Sequence, residues 1–80
     1  MSSQKSGIMT KKQRVEIGKR IKLIRQELNK TQIEMSKILR IQQSPISKLE
    51  RGDIMQTVDI LLTLNRISGR SIDWILKGED

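Results

Sequence analysis

Residues 31 to 52 read TQIEMSKILRIQQSPISKLERG. Thr31 and Glu34 form an S/T-x-x-E capping box, which predicts a helix that starts at Thr31. Met35, Ile38 and Leu39 supply its apolar face. A break follows at Arg40, Ile41 and Gln42. A second short helix then carries Ile46 and Leu49, at i and i+3, and stops at Gly52, a natural C-cap residue. Two short helices separated by three or four residues make a helix-turn-helix unit.

The chain on either side has the same grammar. Thr10 and Gln13 form another capping box. Ile17, Ile21, Ile24 and Leu28 follow at helical spacing, while Lys19, Arg20, Lys22 and Arg25 fall largely off that stripe. Asn29, which tolerates a left-handed backbone, is the expected stop. A fourth helix is predicted from a Thr57 cap through Val58, Leu61, Leu62 and Leu64 to Ile67, with Gly69 after it. A brief fifth helix runs from a Ser71 cap through Ile72, Ile75 and Leu76 to Gly78. No stretch alternates as a strand does. The expected fold is therefore all-α, five helices around one core in residues 10–80, with residues 1–9 a flexible basic tail. Such short helices are not stable alone, so packing must supply most of their helicity. Trp74, the one aromatic residue, is expected to plug the core near the C-terminus.

Composition narrows the chemistry. Sixteen Lys and Arg face nine Asp and Glu, a net charge of +7. Residues 1–13 hold Lys5, Lys11 and Lys12 and no acid, so the basic excess is uneven. A basic domain suits a polyanionic partner, most commonly a phosphate backbone. There is no cysteine and no histidine, which removes thiolate metal sites and the commonest general base. Neither a glycine-rich phosphate loop nor a paired-carboxylate motif is present. An enzyme is therefore not expected, nor a metal or other cofactor. No apolar run approaches the roughly 18–20 residues of a membrane span, and no secretory signal opens the chain. Capped helices with distributed apolar residues also argue against a membrane-active peptide. A cytoplasmic location is expected.

The second helix of the unit has polar residues suited to reading DNA. Such a helix fits the major groove, and its first residues reach base edges. Gln43 can pair with adenine, Ser44 and Ser47 can donate or accept, and Lys48 can donate to guanine or phosphate.

These residues resemble the Cro/CI-type helix-turn-helix repressors, the Xre family. Its pattern T-Q-x-E-L-A-x-x-L-G-[VI]-S-Q-S-x-[IV]-S-x-[IWL]-E-x-G is matched by Thr31, Gln32, Glu34, Leu39, Ile41, Gln43, Ser44, Ile46, Ser47, Leu49, Glu50 and Gly52, with Met35 and Ser36 where Leu and Ala are usual. Ile17 to Arg25 is similar to the family's I-G-x-R-I-K-x-L-R opening helix, and Ser71 to Glu79 to its S-x-D-W-L-L-x-G-E ending. The resemblance covers residues 14–79 in one register. It implies a compact five-helix, lambda-repressor-like domain of bacterial or phage origin that binds double-stranded DNA. It further implies that Gln32 touches the DNA backbone. Gln43, Ser44, Ser47 and Lys48 would face bases or nearby phosphates, and Arg51 would contact a phosphate. Glu50 would be structural, paired with Arg20 or Arg25.

The chain departs from the pattern in four places. Arg40 replaces the usual turn Gly, at a steric cost if φ is positive there, and is expected to gain a phosphate contact. Gln42 replaces the usual Ser or Thr cap and joins the expected DNA contacts. Pro45 permits two helix starts: one near Gln43 with Pro45 in the first turn, and one capped by Ser44 with Pro45 at N1. Asn65 and Ser68 replace apolar residues in the fourth helix, where a thin or wet core is expected.

One reading helix covers few base pairs, so the resemblance implies a homodimeric repressor on an inverted repeat. Ile54, Met55 and Ile60, in or beside the loop before the fourth helix, are expected to expose an apolar cluster that joins a dimer interface. No small-molecule domain is expected. The competing class is a protein-binding module of antitoxin type, because one fold serves both uses.

Overall fold

The computed structural model describes residues 9–41 and 43–79, with the backbone alone for Gln43 and Ser44. The described residues form five helices in the order α1 (Lys11–Glu27), α2 (Gln32–Leu39), α3 (Gln43–Arg51), α4 (Val58–Ser68) and α5 (Ile72–Lys77). Among the described residues there is no strand.

The predicted caps set the boundaries. Thr10 Oγ accepts from the Gln13 N–H at 3.1 Å, and Gln13 reaches back to the Thr10 N–H at 2.8 Å. Thr31 and Glu34 repeat the arrangement at 3.1 and 2.9 Å. Thr57 and Ser71 cap α4 and α5 through the N–H groups of Ile60 and Trp74. Each cap satisfies a backbone donor that no helical carbonyl can reach. At the other ends, Asn29 (φ 56°) follows α1 and Arg40 (φ 60°) closes α2, both in left-handed backbone. The expected tail, residues 1–9, lies outside the described residues except for Met9, which packs against the core.

The core is built from Ile17, Ile21 and Ile24 of α1, Met35 and Leu39 of α2, Ile46 and Leu49 of α3, Ile60 and Leu64 of α4, and Ile75 of α5. Fully burying one such side chain is worth about 1.5–3 kcal/mol, so ten drawn from all five helices bind the short elements into one unit. Ile60 is only 6% exposed, so it is not part of an exposed cluster. Positions 58, 60, 61, 62 and 64 are all apolar, and the phase that α4 adopts turns Ile60 and Leu64 inward and leaves Val58 and Leu62 outside.

Two other expectations are refined. Trp74 is half-buried at the edge of the core rather than inside it, and the Arg70 guanidinium lies 4.1 Å from its ring centroid. Arg70 also pairs with Glu27 at 2.9 Å, linking α1 to the α4–α5 junction. Asn65 and Ser68 do not thin the core. Asn65 donates to the Arg70 carbonyl at 2.7 Å. Ser68 donates to Leu64 O and accepts from the Arg70 N–H, so both side chains fasten that junction.

Candidate nucleic-acid interface

α3 lies between α1 and α2 and turns Ile46 and Leu49 into the core. Lys48 is therefore carried outward; it is exposed and has no ion-pair partner among the described residues. Ser47 and Arg51, one turn apart, are joined by a 2.7 Å hydrogen bond from the Arg51 guanidinium to Ser47 Oγ. Gln43 and Ser44 occupy the first two positions of α3. Gln42, also expected to contact DNA, lies outside the described residues.

The start of α3 at Gln43 decides between the two possible registers. Pro45 is its third residue, where a backbone N–H has no intrahelical acceptor in any case. The missing donor therefore breaks no ladder bond, and Ser44 is helical rather than the cap. The turn before it does use positive φ. Arg40 closes α2 at φ 60°, ψ 39°, and the following Ile41 N–H reaches back to Ser36 O at 2.9 Å. An L-residue in that conformation costs roughly 1–2 kcal/mol. The Arg40 side chain is exposed beside this turn.

The other end of α3 is clamped. The Glu50 carboxylate is buried and takes two hydrogen bonds from Arg25, at 2.6 and 3.1 Å. Of the two arginines expected for it, Arg25 is the partner. Arg20 instead donates to the carbonyls of Ile75 and Leu76 at 2.7 and 3.0 Å, holding the end of α5. Gln32 Nε2 also donates to Glu50, at 3.1 Å. This bond orients the half-buried Gln32 side chain at the start of α2 and leaves its carbonyl oxygen and second N–H for other partners.

Sequence reasoning missed two features at this end. Gly18 is the first: a Cβ there would lie closer than 3.0 Å to the carbonyl oxygens of Glu50 and Leu49. Only glycine lets α1 and the end of α3 approach so closely, and a glycine inside a good helix pattern was the available signal. The second is Asp53. Its carboxylate pairs with Lys11 at 2.7 Å and with Arg51 at 3.0 Å. Those contacts, Lys11 first and Arg51 second, hold its pKa below the usual carboxylate range. Arg14 donates to Gly52 O at 3.2 Å and to Met9 O at 3.2 Å, which fixes the turn that presents Asp53. No local pattern announces a pair 42 residues apart.

With α2, the turn and α3 in place, the chain matches a family model described as a helix-turn-helix domain over residues 18–80. This chain belongs to the Xre family of helix-turn-helix regulators. It is 38% identical over 64 residues to the HTH-type transcriptional regulator DicA of Escherichia coli (strain K12), an alignment covering 80% of this chain and 47% of that protein. The chain thus spans about half the length of this curated relative. No solved structure matches it. Among the described residues no helix is long and apolar enough to cross a membrane.

Proposed function

We propose that this chain is a sequence-specific reader of double-stranded DNA that acts as a transcriptional repressor in the cytoplasm of a bacterium or its phage. The observation that carries the reading is α3 itself. Its apolar residues Ile46 and Leu49 are locked inward, Lys48 is outside with no ion-pair partner among the described residues, and its end is clamped by Glu50. A rigid helix presenting donors is what major-groove reading needs. In this reading Gln43, Ser44, Ser47 and Lys48 face base edges or adjoining phosphates. Gln32, Arg40, Gln42 and Arg51 hold the flanking backbone. No step of this function is catalytic.

The reading includes a homodimer. Two copies related by a two-fold read half-sites one helical turn apart, about 34 Å. Ile54 and Met55 remain exposed, at 36% and 54%, and support such an interface; Ile60 does not.

Selection from a random duplex library, followed by titration across salt, tests the proposal. The expected result is a short inverted repeat, with log K falling against log salt at roughly 0.9 per phosphate contact. A selection that enriches no motif overturns the DNA reading and favours a protein partner. Within the helix, Gln43→Ala should relax preference at one base pair by about 1–3 kcal/mol. Lys48→Ala, if it contacts a phosphate, weakens all sequences alike.

A further inference from the structure

Six large apolar side chains are exposed among the described residues, and four of them, Ile54, Met55, Val58 and Leu62, fall within nine consecutive positions. Val58 is 69% exposed and Leu62 48%, although both sit on a helix whose other face is core. A groove runs beside this face, with Ile38, Arg40 and Ile41 on one wall and Asp59, Leu62, Thr63 and Arg66 on the other.

The two charges that α4 itself brings to the groove say what covers this face. Asp59 and Arg66 have no ion-pair partner among the described residues. They lie on one helix, two turns or about 10.5 Å apart, with Leu62 between them. Asp59 sits in the first turn of α4 and Arg66 in the last. A face with its own acid at one end and its own base at the other is complementary to a copy of itself turned end for end. We propose that this face of α4 is a self-association surface, covered by α4 of a second copy running antiparallel. With the two-fold axis between Leu62 and Thr63, Asp59 meets the partner's Arg66, Arg66 meets the partner's Asp59, and the two Leu62 side chains meet near the axis. Antiparallel helices also bring opposite dipole ends together, which adds to the same pairing. A partner of unrelated sequence has no reason to find acid and base at matched distances from one apolar centre. An isologous two-fold contact requires that arrangement.

The inference rests on the homodimer reading and supplies its surface, with Val58 and Leu62 in place of Ile60. Four partly exposed apolar side chains offer only a few hundred Å², below the roughly 800 Å² per partner of a standard interface. The dimer is accordingly weak in free solution, and a two-half-site DNA strengthens it by holding both copies together.

Charge exchange tests it. Wild type, Asp59→Arg, Arg66→Asp and the double variant Asp59→Arg/Arg66→Asp are compared by sedimentation equilibrium over a concentration series, with helicity checked by circular dichroism. Both positions are exposed, so the fold should be kept. Each single variant places like charges face to face and should weaken the dimer at least tenfold, whereas the double variant should return to within about threefold of wild type. Rescue by the double exchange supports the antiparallel pairing. If wild type dimerises and neither single variant weakens it, or the double variant does not recover, the surface is elsewhere and this inference alone falls. If wild type stays monomeric both free and on a two-half-site duplex, the homodimer reading falls with it.

Discussion

At its C-terminal end α3 is held by tertiary contacts on three sides: Arg25 on the buried Glu50, the α1 backbone pressed against it at Gly18, and Lys11 meeting Arg51 through Asp53. At its N-terminal end it follows a turn closed by an arginine in left-handed backbone and contains a proline in its first turn. The first end is stabilised by distant residues, whereas the second is shaped by local backbone preferences. The comparison teaches that α3 is anchored from its C-terminal end. Of the residues proposed to meet DNA, Gln43, Ser44 and Lys48 take no part in that anchor, whereas Gln32 and Arg51 do.

Removing the anchor should have the largest effect. Glu50→Ala leaves the Arg25 guanidinium half-buried without its carboxylate, and loss of one partner from such a pair costs about 3–5 kcal/mol. Chemical denaturation should show that loss. A change under 1 kcal/mol would mean that local structure, and not the clamp, holds this end. Gly18→Ala should cost about 1–3 kcal/mol, because the added Cβ meets backbone carbonyls that cannot rotate away. The same denaturation series checks it, and a neutral result would show that α1 slides freely on α3.

The N-terminal end should respond with the opposite sign. Arg40→Gly relieves the left-handed strain but adds freedom to the unfolded chain, for a net gain of roughly 0.5–1 kcal/mol. If Arg40 also touches a phosphate, the same variant binds DNA with a shallower salt slope, by about 0.9. Greater stability with shallower salt dependence would show a residue kept for binding at the expense of folding.

Asp53→Asn is the smallest change and acts on binding more than on stability. It frees Arg51 and Lys11 from a resident carboxylate, so non-specific DNA binding should tighten and the salt slope steepen by up to about 0.9 for each cation that gains a phosphate. An unchanged slope would show that neither cation reaches DNA. The pH dependence has a definite sign. The folded pKa of Asp53 is lowered, so its ion pairs stabilise the fold above the ordinary carboxylate pKa, near 4, and are lost as pH falls through the lower folded value. Melting temperature should therefore fall more steeply below about pH 4 in wild type than in the Asn variant.

Much of the fold was legible because its signals are local. Thr10, Thr31, Thr57 and Ser71 stop or start a helix through atoms three residues away, and Asn29, Gly52, Gly69 and Gly78 close helices through their own φ. The core positions of α1 and α3 were equally plain, since only one helical phase buries their apolar residues. α4 was not, because its apolar residues are too dense to favour one phase, and Ile60 was placed outside where packing put Val58 and Leu62. The choice of Arg25 over Arg20 for Glu50, and of Arg70 for Trp74, depends on how helices far apart in the chain are brought together.

The sequence by itself determined five helices, four of them with N-caps, the turn between the second and third, and the polar residues of α3. Helix ends and apolar stripes are settled within a few residues of one another. Only the tertiary structure decided which face of α4 is left exposed, which arginine clamps Glu50, and why residue 18 must lack a side chain. Those outcomes depend on the distance between backbones that meet only after the chain has folded.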